Sequence, residues 1–262
     1  MQVDQVTYGS VKRHRMNGYQ IIGKSEGVDL TMSSTFCQWA PSHNSLEVGQ
    51  GHAALDAWGL SYFPLSEFHF VVGRSVHGGP EYSGRGGLSV VTSALVISRK
   101  HLMGFEFHAI ELMRTALALG YLILPIDHDE SLPQAALPRR PLQLPPPKSD
   151  FIDSTPAKLP DHAVQWIARE ICSLVRDGRK VMVAGHSDPL PILTQMMDQM
   201  TPTERSEASF ACGLKMSSRR DFRIQFTQEK LSTRLHKELE RSSIVPIDVA
   251  RVLVDSNPVS IH

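Results

Sequence analysis

The tetrapeptide Gly185-His186-Ser187-Asp188 brings an imidazole, a hydroxyl and a carboxylate together between an apolar run, Lys180 to Ala184, and a helical pattern beginning at Pro189. A serine on a sharp turn between strand and helix can be presented as a nucleophile. That arrangement calls for a glycine two residues past the serine, where Pro189 stands, and for a placed base and acid that four neighbours do not supply. The competing account is a helix N-cap by Ser187 or Asp188 with Pro189 in the first turn. A second stretch, His77-Gly78-Gly79-Pro80-Glu81-Tyr82-Ser83-Gly84-Arg85-Gly86-Gly87, holds five of the eighteen glycines beside one arginine. Its backbone amides and Arg85 could cradle an anion. Arg85-Gly86 replaces the Lys and Ser/Thr of a phosphate-binding P-loop, and Arg85 could equally pair with Glu81 or hold main-chain carbonyls. Asp127-His128-Asp129-Glu130 has donors for a hard cation, but adjacent side chains rarely converge, so a solvated loop without metal is expected.

The elements that would position these groups follow from periodicity. Val3 to Tyr8 and Gly18 to Gly23 read as a β-hairpin around the basic turn Lys12-Arg13-His14-Arg15, which is expected to be a solvated loop tip. After a turn at Ser25 to Asp29 comes a polar stretch whose start could be helical. Leu46, Ala53, Ala54, Leu55 and Trp58 could share one face of a short helix weakened by Gly49, Gly51 and Gly59. Ser61 to Leu65 carries Pro64 and suits an edge strand or an extended loop, not a central strand. Phe68 to Val72 and Leu88 to Thr92 read as strands flanking the glycine loop, the second prolonged by Ala94 to Ser98. Ile110 to Leu119 forms an apolar helical stripe closed by Gly120, fit to cover a sheet face.

Nine of the seventeen prolines lie between Pro125 and Pro160, which reads as an inter-domain linker. Beyond it come a helix capped by Asp161 and stopped at Asp177-Gly178, a strand at Lys180 to Ala184, and a helix from Pro189 to Met200. Strands near 208–212 and 222–226 are joined by a loop bearing Ser217, Ser218, Arg219 and Arg220. An amphipathic helix carries Leu231, Leu235 and Leu239, and a short apolar element follows Pro246. The fold class expected is α+β, mixed α/β. Its units are a β-rich N-terminal domain with a covering helix over 1–126, a linker over 127–160, and a smaller α/β domain with a helical tail over 161–262.

The 262 residues, 41% hydrophobic, suffice for one large or two modest cores. Lys plus Arg equals Asp plus Glu at 27 each, so no global field favours nucleic acid or anionic lipid, and neither is an expected partner. The opening residues lack a secretory pattern, and no apolar run reaches the ~20 residues of a membrane span, so a cytoplasmic location is expected. Cys37, Cys172 and Cys212 form no Cys-x-x-Cys pair and are expected to be ordinary buried or half-buried thiols.

Several of these residues recur in a known pattern. Gln5-x-x-Tyr8-Gly9, Gly18-Tyr19-Gln20, Ser25-x-Gly27, Phe63-Pro64-Leu65 and above all Pro80 to Gly87 resemble the N-terminal domain, second type, of the bacterial GTPase-associated protein family. Arg205 with Ser209-Phe210-x-x-Gly213-Leu214-x-x-Ser217-x-Arg219-Arg220-x-Phe222 resembles the middle domain coupled to it. The resemblance implies a non-enzymatic adaptor without a cofactor, acting with a separately encoded GTPase or effector in a bacterial conflict or signalling system. Its contact surfaces would be Glu81, Tyr82, Ser83, Gly84, Arg85, Gly86 and Gly87 together with Arg219 and Arg220. The alternative is an enzyme or ligand-binding protein: a serine hydrolase using Ser187 with His186 and Asp188, or a phosphate or nucleotide binder using the glycine loop.

Overall fold

The structure, a computed structural model, describes residues 1–13, 16–48, 57–80, 87–123, 135–142, 159–185, 188–217 and 219–255. Their strands are β1 (Gln2–Arg13), β2 (Met16–Lys24), β3 (Trp58–Ser66), β4 (His69–Pro80), β5 (Leu88–Ser98), β6 (Ala135–Ala136), β7 (Arg140–Pro141), β8 (Lys180–Ala184), β9 (Phe210–Cys212), β10 (Ile224–Thr227) and β11 (Ile244–Asp248). The helices are α1 (Leu30–Trp39), α2 (Arg99–Met103), α3 (Ala109–Ala118), α4 (Asp161–Arg176), α5 (Leu190–Gln199), α6 (Pro202–Glu207), α7 (Thr233–Arg241) and α8 (Val249–Asp255). The class is α+β, as expected.

One sheet runs through the molecule in the order β11-β8-β10-β9-β3-β4-β5-β1-β2-β6, with β7 on β1. From β11 to β9 the neighbours are parallel; from β9 to β2 they are antiparallel. The join is β9 against β3, with Phe210 opposite Tyr62 and Cys212 opposite Leu60. The two halves distinguished in the sequence therefore share a continuous ladder. Successive side chains of a strand point to opposite faces, and here both faces are covered. Tyr62, Val72, Leu95 and Ile97 enter a core closed by α3, α4 and α5, whereas Phe63, Val71, Ala94 and Val96 enter a second core closed by α1. Beyond the second core, Met182 packs under Leu235 and Leu239 of α7.

Helix α1 begins where Asp29 accepts a bond from the Met32 amide, and it docks through Phe36 and Trp39. Trp39 stacks on Phe63 with ring centroids 4.9 Å apart and meets Phe222 edge-on. The polar composition of residues 30–45 hides this helix, because only one narrow face is apolar. Trp58, expected on a short helix face, opens β3 instead; residues 49–56 of that stretch lie outside those described. Strand β3 lies between β4 and β9, so it is not an edge strand. Pro64 is tolerated because the pairing with β9 covers only Leu60 to Tyr62, and the register with β4 shifts between Pro64 and Ser66. Pro246 lies within β11 itself, which among the described strands pairs with β8 alone and so can spare an amide.

Strands β4 and β5 pair around the glycine loop as expected, with Pro80 still opposite Leu88. Residues 135–142 fall inside the segment expected to be a linker, and they are tied to the sheet. β6 pairs with β2 and β7 with β1, Arg139 meets Asp4 at 2.8 Å, and Leu142 is fully buried. Helix α4 is capped by Pro160, without a side-chain bond; Asp161, expected as the cap, is its first residue and sits there as a charge near the positive helix end. Cys172 and Cys212 are buried, but Cys37 is exposed. Among the described residues no helix is long and apolar enough to cross a membrane.

Candidate functional site

The carboxyl ends of β8, β9 and β10 share one edge of the sheet with the β4–β5 hairpin, because β9 runs antiparallel to β3 and β3 to β4. Helix α5, after β8, packs on one face, while α7, after β10, packs on the other. Adjacent parallel strands whose connections diverge in this way open a crevice at their carboxyl ends, where α/β sheets commonly bind ligands. Gly185 sits there at φ +86, its amide donating to the Thr227 carbonyl at 3.0 Å. Asp188 is half-buried and accepts from the Leu190 amide at 3.4 Å, while Pro189 occupies the cap position of α5. Glu47 reaches the same edge and accepts the Gln228 amide at 2.9 Å; burial pushes its carboxyl up from the usual range.

His186 and Ser187 lie outside the described residues, as do Glu81, Tyr82, Ser83, Gly84, Arg85 and Gly86 and the acidic stretch at 127–130. Gly87 is described and lies against His43. The β4–β5 hairpin and the end of β8 are separated by β3, β9 and β10, so their roots stand roughly 19 Å apart at about 4.8 Å per strand step.

The two arginines at 219 and 220, indistinguishable in the sequence, have opposite fates. Arg219 is exposed. Arg220 is 7% exposed, and its guanidinium donates to Ser45 Oγ at 3.2 Å and to the Lys215 carbonyl. The crossover from β9 to β10 is fixed at its start as well. Leu214 bridges Leu46, and Gly213 accepts the Glu47 amide at 3.0 Å. Between this crossover and α7 lies a cleft of about 470 Å3 lined by Arg220, Gln225, Ser217, Glu238 and the ion pair of Lys180 with Asp221. Burial lowers the Arg220 pKa to about 10. Among the described residues no carboxylate lies within ion-pairing range of it.

Sequence reasoning missed Gln225 and Lys180. Neither carries a motif, and Gln225 acquires its place only because the strand's second face is covered. Arg205 is also an anchor: its Nε donates to the Met197 carbonyl at 2.6 Å and its guanidinium to the Glu106 carbonyl at 3.1 Å. Helix α6, which carries Arg205, was missed too, although Thr201 and Glu204 spell a capping box that forms in full.

An α+β protein with one mixed sheet and a polar cleft between the β9–β10 crossover and α7 is the class these observations define. The family model for GTPase-associated protein 1, N-terminal domain type 2, matches residues 2–138, and the chain belongs to that family. That span runs from β1 through the glycine loop to the strand β6 that closes the antiparallel half. No curated protein and no solved structure matches the chain.

Proposed function

We propose that the protein is a non-enzymatic adaptor that binds a separately encoded GTPase or effector in a bacterial conflict or signalling system. Membership of a GTPase-associated family supports a GTPase as the partner. The observation that carries the docking role is the crossover from β9 to β10, where Arg220 is fastened inward while its neighbour Arg219 is held outward. A charged side chain on a pre-ordered loop loses little conformational freedom on association. In this reading residues 161–262 correspond to the middle domain, and the loop at 81–87 with Arg219 forms the contact surface.

Pull-down of the GTPase encoded nearby, loaded with GDP or with a non-hydrolysable GTP analogue, tests the proposal. Retention in at least one state, weakened several-fold by Arg219→Glu, is the expected result. Absence of association in both states refutes it.

The crevice at the end of β8 favours a second reading, a serine hydrolase built on Ser187. The strand-turn-helix context is present in β8 and α5. Esterase or peptidase turnover abolished by Ser187→Ala would replace the adaptor with the enzyme.

A further inference from the structure

We infer that the cleft between the β9–β10 crossover and α7 is a binding pocket for a small organic oxyanion, a carboxylate or a phosphate monoester, clasped by Arg220 and oriented by Gln225. Three observations lead there. Arg220 is buried with no carboxylate of the described residues in ion-pairing range, and a guanidinium withdrawn from water is costly unless a counter-charge meets it. Of its five N–H donors, Ser45 Oγ and the Lys215 carbonyl take one each, so a fork of donors remains for a ligand. The downward displacement of its pKa has burial as its cause.

Gln225 is the second observation. It is 5% exposed and lines the cleft, where its amide keeps contact with solvent and makes no hydrogen bond to the described residues. A carbonyl and two N–H groups presented to the cleft are available to orient a ligand that displaces its water. The third is the make-up of the walls. The surface is mostly polar, with Met216, Phe222 and Ile244 as its smaller apolar part, and the volume of about 470 Å3 falls in the range of small-molecule sites.

Charge sets the class further. Lys180 is neutralised by Asp221, and Glu238 on α7 is exposed at the mouth and repels additional negative charge. With Arg220 as the uncompensated cation among the described lining residues, the ligand has a single anionic head on a small body and is not a polyphosphate. This inference stands apart from the adaptor reading and survives its failure.

Calorimetry and thermal shift on the full chain with phenyl phosphate, benzoate and the neutral analogue benzamide test it at constant ionic strength. Saturable binding of at least one anion is expected, with a Tm that rises as its concentration passes Kd, and benzamide about tenfold weaker or worse. The tighter of the two anions identifies phosphate monoester or carboxylate as the source. Gln225→Met keeps the volume of the side chain and its packing; it should retain the fold by circular dichroism and lose about tenfold in affinity, as should Arg220→Lys. No saturable binding of either anion overturns the inference. So does unchanged affinity in folded Gln225→Met.

Discussion

Replacing Gly213 by alanine puts the attachment of the crossover to a direct test. Gly213 follows β9 at φ +67, and a Cβ there would be driven into the Trp58 carbonyl oxygen, with Trp58 C and Gly59 Cα each 3.1 Å away. All three are backbone atoms of β3, so no side chain can swing aside. The left-handed backbone costs an alanine about 1–2 kcal/mol. Forcing a methyl into a filled position adds about 1–3 kcal/mol as β3 and β9 separate. The sum, about 2–5 kcal/mol, is a large share of an ordinary stability of about 5–15 kcal/mol. Gly178→Ala is the internal control, because Gly178 has φ +73 just past α4 and open space where the Cβ would stand. It should lose only the backbone part, about 1–2 kcal/mol. Urea unfolding followed by circular dichroism reads both, and with a slope of about 1–3 kcal/mol per molar urea their midpoints should separate clearly. Coincident midpoints would refute the claim that the seam between β3 and β9 is closed by backbone contact at Gly213.

Three further expectations follow from named contacts. Arg176 and the Thr201 amide hold the Glu204 carboxyl down to about 2. Because the folded value is depressed, the carboxylate stabilises above the unfolded value of 4.5 and loses this as pH falls toward 2. The pair is partly solvated, so Glu204→Gln should cost about 1 kcal/mol or less at pH 7 and nothing near pH 2, checked by denaturation at both. Glu47 has the opposite sign: burial raises its pKa, so wild type loses stability relative to Glu47→Gln as pH rises from the ordinary value of 4.5 to that raised value, and the loss is complete above it. Denaturation at pH 4, below the ordinary value of 4.5, and at pH 8 should show the gap widening at pH 8. Phe63 is 2% exposed among Phe36, Trp39 and Phe222, and Phe63→Ala should cost about 3–5 kcal/mol, with a shift in Trp39 fluorescence as α1 loosens.

Local features were legible wherever a short-range rule acted alone. Lys180 to Ala184 is the strand expected, and Gly120 and Gly178 follow the ends of α3 and α4, because cap and turn chemistry is decided within a few residues. The residues around Pro80 to Gly87 led to the family that the match over 2–138 establishes. Helix α1 was only half seen because its burial depends on Phe63 and Phe222, which arrive from distant strands.

The sequence by itself determined that this chain is α+β, that a glycine loop joins two strands, and that two arginines lie in the loop before β10. Only the tertiary structure decided that Arg220 turns inward to Ser45, 175 residues away, while Arg219 turns out. It also decided that Gln225, on the face opposite Ile224, is buried, since α7 and the crossover cover a face that alternation alone would leave in water. The physical reason is that backbone propensity acts between near neighbours, whereas which strand lies beside which, and what covers each face, is fixed by non-local pairing such as β9 on β3.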